Sequence, residues 1–142
     1  MPSEEAVFGV VREWVQKAES DLTIAALALR SPAQCPTDAV CFHAQPCIEK
    51  YLKALLTMRC TPFPRTHDLA ELLYVVPEDN RLPLGVEELE RLTAYATVTR
   101  YPGDYEPIPL SEARAAVSLA RRARAHIRRL LPPKLLRRRR KA

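Results

Sequence analysis

Apolar residues recur along this chain at intervals of three and four and nowhere alternate with polar ones, which restricts the fold to packed helices. Val7, Val11, Trp14, Ala18, Leu22, Ala25 and Leu29 share one face only on a helix, predicted over about residues 4–30 and closed by Ser31-Pro32 and Cys35-Pro36. Thr37 or Asp38 is placed to cap a second helix with Ala44, Ile48, Tyr51, Leu52 and Leu55 on its stripe, running to about Met58. Pro46 lies inside it, removing a backbone donor and crowding the carbonyl of Phe42, so a kink or distorted first turns are expected. Thr66 is a cap for a short helix over Asp68 to Val76, and Val86, Leu89, Leu92, Tyr95 and Ala96 outline another. Ser111 is a cap for a last helix with Ala113, Ala116, Ala120, Ala123, Ile127 and Leu130 inside, ended by Pro132-Pro133. With only three glycines for hairpin turns, the expected architecture is all-α: an antiparallel up-and-down bundle of four or five helices.

At 142 residues the chain has the size of one domain, able to bury roughly two thirds of its extended surface without disulfide or metal staples. The bundle is expected over residues 1–133, with 134–142 a basic, disordered tail. No apolar run approaches the roughly 18 residues of a membrane span, and the start Met-Pro-Ser-Glu-Glu is unlike a signal peptide, so the expected compartment is the cytoplasm and no membrane partner is expected. The formal charge of +5 is uneven: residues 1–120 hold eleven Lys/Arg against all seventeen acids, and residues 121–142 hold eleven Lys/Arg and no acid. Any electrostatic argument about partners therefore belongs to the basic end. Cys35, Cys41, Cys47 and Cys60 lack the paired spacing of a zinc site and read as reduced thiols. No cofactor or metal is expected, since the chain has no Gly-rich phosphate loop, carboxylate cluster or serine-nucleophile motif.

The segment from Cys41 to Leu56, with Phe42, Gln45, Glu49-Lys50 and Lys53-Ala54, followed by Arg65-Thr66-His67-Asp68-Leu69, closely resembles the HEPN domain, named for higher eukaryotes and prokaryotes nucleotide-binding. Trp14 with Asp21-Leu22, and Thr99-Arg100-Tyr101-Pro102, match the same pattern in the same order, so that the resemblance covers about residues 8–131. It departs at Pro46, where the family usually carries a second Gln. The resemblance implies a helical bundle, commonly a homodimer, often encoded beside a minimal nucleotidyltransferase partner. It also implies one of two functions: a module that binds a nucleotide or an RNA end, or a metal-independent endoribonuclease toxin of a toxin–antitoxin pair. A non-catalytic protein–protein adaptor is a third reading.

For nucleotide binding the candidate residues are Gln45, Glu49, Lys50, Lys53, Arg65, His67, Asp68, Arg100 and Tyr101. Glu49 and Lys53, four apart in the favourable order, also read as an ordinary intrahelical ion pair. Arg65 to Asp68 stand at a helix start, where free amides and the dipole favour a phosphate, although Thr66 and Asp68 could simply cap it. Arg100 and Tyr101 could bring a guanidinium and an aromatic face to a purine, or anchor their loop. The toxin signature is an Arg followed after four to six residues by His. Arg59 and Arg65 lie at the wrong spacing from His67, while Arg121 and His126 fit, in a stretch so rich in arginine that a match is easily met. In that alternative His126 is the general acid–base and Arg121 stabilises charge on the phosphate.

Overall fold

The computed structural model describes residues 2–98, 103 and 106–137. Arg100 and Tyr101 lie outside the described residues. The chain forms α1 (Glu4–Ala28), α2 (Thr37–Met58), α3 (Leu69–Tyr74), α4 (Val86–Val98) and α5 (Leu110–Leu130), with short 3-10 turns at Pro32–Gln34, Glu78–Asn80 and Pro133–Leu135. No strand occurs among the described residues, and the fold is the expected all-α bundle.

Helix α1 starts where Ser3 accepts a hydrogen bond from the amide of Ala6, with Glu4 and Glu5 at the positive end of the helix dipole. Its buried residues are Phe8, Val11, Val15, Ala18, Asp21, Leu22 and Ala25, while Val7, Trp14 and Leu29 flank them half-covered. The stripe is thus turned slightly from the expected one. Helix α2 is the centre of the bundle: α1, α3, α4 and α5 all pack on it. Ile48, Tyr51, Leu52, Leu55 and Leu56 are fully buried, each worth roughly 1.5–3 kcal/mol in area removed from water. Ala18 and Ala25 on α1 and Ala44 on α2, all without exposed surface, let the two long helices approach closely. Along α1 from Trp14 to Asp21, partners on α2 run backwards from Lys53 to Lys50 and His43, as antiparallel packing requires.

Several helix ends differ from expectation. Helix α2 begins at Thr37 with Pro36 in the cap position and no side-chain cap, and it runs unbroken through Pro46. The cap of α3 is Asp68, whose carboxylate accepts from the amides of Ala70 and Glu71; Thr66 supports it by accepting from the amide of Asp68. Pro109, not Ser111, precedes α5. Beyond Pro133, where the tail was expected to begin, Leu135 is buried, Leu136 packs on the core and the Lys134 ammonium lies 4.4 Å from the centre of the Phe8 ring. The packed chain therefore extends past the double proline.

Helix α2 ends at Met58 and the chain turns out of it just past the cap, at Cys60, which adopts φ 51°, while the amide of Thr61 returns to the carbonyl of Leu56 at 2.9 Å. This left-handed closing position is one that glycine fills without strain. Cys60→Gly should therefore raise the urea midpoint, by about 0.5–1 kcal/mol of stability; an unchanged or lower midpoint would show that the position is unstrained. Cys41 and Cys47 are buried and unpaired. Burial first, and nearby carboxylates second, push the Cys41 thiol up to about 11 and the Cys47 thiol up to about 12, from an ordinary value near 9. Above pH 9 the unfolded chain gives up these protons while the folded chain keeps them, so stability falls as pH rises from 9 to 12. Urea titrations at pH 8 and 10.5 check this, and a thiol reagent at pH 8 should label the exposed Cys60 well before Cys41 or Cys47.

Candidate functional site

Burial of α2 on most sides draws its polar residues into three clusters. The first centres on Glu49. Its carboxylate accepts from the Lys53 ammonium at 3.1 Å and stands 2.9 Å from Nδ1 of His67, while the Gln45 amide donates to the backbone carbonyl of His67 at 2.6 Å. Lys53 also sits between the rings of Trp14 and Phe63, 5.6 and 5.9 Å from their centres. The side chains of Glu49 and Lys53 are 8% and 10% exposed, that of His67 81%. Gln45, Glu49 and Lys53 therefore spend their polar atoms inside the protein. They pin the loop that carries His67 and fix its ring, with Nδ1 turned to the carboxylate and Nε2 left to the solvent. Arg65 is exposed two residues earlier and has no side-chain partner among the described residues.

The second cluster commits Lys50, which the sequence places among the ligand contacts. Asp21 of α1, itself buried, receives the Lys50 ammonium at 2.5 Å and faces Nδ1 of His43 at 3.0 Å. The face of α2 carrying His43 and Lys50 is thus covered by α1. Asp68 is likewise occupied: its carboxylate takes the amides of α3 and places a negative charge where a phosphate was expected.

The third cluster was not anticipated. Glu19 accepts from the Tyr51 hydroxyl at 2.7 Å, from Arg124 at 2.7 Å and from Arg128 at 3.0 Å, tying α1, α2 and α5 together. Burial, then the bond to Glu19, holds the Tyr51 hydroxyl protonated well above the ordinary tyrosine range. The sequence signal was present in Arg124 and Arg128, four apart beside the alanine stripe of α5. Arg59, one of the arginines tested for the toxin spacing, is structural: it donates to Asn80 and to the carbonyl of Leu130 at the end of α5.

Arg121 and His126 both lie on α5, five residues apart, which is about 140° around a regular helix. Arg121 is exposed and His126 half-buried, and within one chain they do not converge on a common substrate position. Among the described residues no three His, Cys, Asp or Glu side chains come together as a metal site, and no helix is long and apolar enough to cross a membrane.

The enclosed Glu49–Lys53 pair gives a direct test. Lys53→Ala leaves the carboxylate buried with one partner fewer and should cost about 3 kcal/mol or more, whereas an exposed pair such as Arg122 and Glu88 should be worth under about 1 kcal/mol. Equal urea midpoints for the two deletions would contradict this assignment.

Two solved structures share this arrangement of helices. TT1696 from Thermus thermophilus is 30% identical, with a TM-score of 0.71 and a match covering 85% of this chain and 98% of its own. ST0689, an archaeal HEPN homologue, is 26% identical, with a TM-score of 0.65 over 84% of this chain and 96% of its own. No curated protein sequence is significantly similar to the chain. The HEPN domain model matches residues 11–130, a span that takes in most of α1 and all of α2 to α5, with the Glu49 cluster and the Asp21 cluster, and the chain belongs to the HEPN domain family.

Proposed function

We propose that this HEPN chain is a module that binds a nucleotide or an RNA end, with Arg65 and Nε2 of His67 meeting the phosphate. The observation that carries this reading is the Glu49 cluster. A buried carboxylate, braced by a buried ammonium and a buried amide, is used to orient an imidazole that is almost wholly in solvent. A surface histidine needs no such support for stability, whereas a ligand contact gains from being held in one orientation before the ligand arrives. Arg65 adds a guanidinium suited to two-point contact with phosphate oxygens. Arg100 and Tyr101 belong to the same proposal as the guanidinium and the stacking ring for the base. Assembly as a homodimer and action beside a nucleotidyltransferase-type partner complete it; both rest on the family.

Isothermal titration calorimetry with ATP, GTP and a short 5′-phosphorylated RNA tests the proposal. His67→Ala should weaken binding about tenfold, equivalent to about 1.4 kcal/mol, without loss of helical signal, and Arg65→Ala should do likewise. Absence of detectable binding by the intact protein at millimolar nucleotide overturns the proposal, as does wild-type affinity in both variants.

A further inference from the structure

A broad open groove runs between α1 and α5 on a different flank of the bundle from His67. Trp14, beside the Glu49 cluster, and Glu19, in the groove, are about 140° apart around α1. Four arginines line the groove, Arg12, Arg124, Arg128 and Arg137, against the two carboxylates of Glu13 and Glu19. Glu19 is shared by both Arg124 and Arg128, so one carboxylate serves two guanidinium groups and also fixes their positions. Arg12 and Arg137 have no carboxylate partner among the described residues, and Arg121 stands exposed and unpaired one turn along the same face of α5. Arg121, Arg124 and Arg128 rise about 4.5 and 6 Å along the helix axis from one to the next. At the groove's end the sequence continues from Arg137 into three more arginines and a lysine. The acidic residues that balance the rest of the chain all precede α5's basic half.

We infer that the α1–α5 groove is a second binding site, one that takes the phosphodiester backbone of a single nucleic-acid strand. The arginines come from both sides of a trough between two neighbouring helices, Arg12 from α1 and Arg124 and Arg128 from α5, an arrangement suited to a single chain lying along it. Among the described residues no aromatic ring lines the groove, so contact runs through the phosphates, with little sequence preference. This site stands apart from the Arg65–His67 reading and survives its failure.

Fluorescence anisotropy of the full chain with a labelled 12-nucleotide oligouridylate, between 50 and 300 mM salt, tests the inference. Each strand phosphate neutralised contributes about −0.7 to the slope of log affinity against log salt. Arg12→Gln with Arg137→Gln should therefore flatten the slope by about 1.4 and lower affinity at least tenfold at low salt, while nucleotide calorimetry stays as in the unaltered protein. Both side chains lack partners, so the fold should be intact by circular dichroism. The inference is overturned if the double variant binds the strand as the unaltered protein does. It is also overturned if Arg65→Ala removes the same binding, or if only replacement of residues 138–141 by serine and glycine does so. Equal competition by polyglutamate at matched charge would assign the groove to acidic polypeptide instead, and preference for a duplex would overturn the single-strand geometry.

Discussion

Enclosure of α2 by four other helices is the constraint on which the rest of the molecule depends. A helix buried this widely cannot leave a charge unpaired, because the cost of removing an ion from water is recovered only by a close partner. Its own sequence supplies one internal pair, Glu49 with Lys53, and the neighbouring helices supply the others: Asp21 for Lys50 and Glu19 for the Tyr51 hydroxyl. Close packing of α1 on α2 through Ala18, Ala25 and Ala44 is what brings those carboxylates within reach.

The same enclosure separates residues that brace from residues that face outward. Gln45, Glu49 and Lys53 belong to the first kind, and His67 and Arg65 to the second, although all five are polar and close in the family's pattern. On the other flank, Glu19 plays the bracing role for Arg124 and Arg128, whose surplus positive charge faces the α1–α5 groove. Both surfaces follow one physical scheme, in which a partly or wholly buried carboxylate holds cationic or imidazole groups in a fixed geometry.

How legible each part was in the chain depends on how local its cause is. Helical stripes arise from spacing within one segment, and all five helices could be placed from it. Caps compete over two or three residues, and spacing alone does not decide among them. Asp68 displaces Thr66 because its carboxylate reaches two amides at once, and Pro36 and Pro109 already hold the dihedral angles that lead into a helix. Leu135 and Leu136 looked like the start of a tail because their burial depends on α1 lying beneath them, which no feature of residues 134–142 reveals.

By itself the sequence determined the all-α class, the family, the segregation of positive charge at the C-terminal end and the cluster of polar residues on α2, because each is a matter of residue type and spacing. Only the tertiary structure decided what those polar residues do. Lys50 and Lys53 are both candidate ligand contacts by sequence, yet one pairs with Asp21 of α1 and the other with Glu49 of its own helix, near two aromatic rings, so that both ammonium groups are held in ion pairs. Glu19, unremarked in the sequence, became the anchor of two arginines more than a hundred residues away. The reason is that pairing and burial are set by which helices meet, a long-range property that a one-dimensional pattern does not contain.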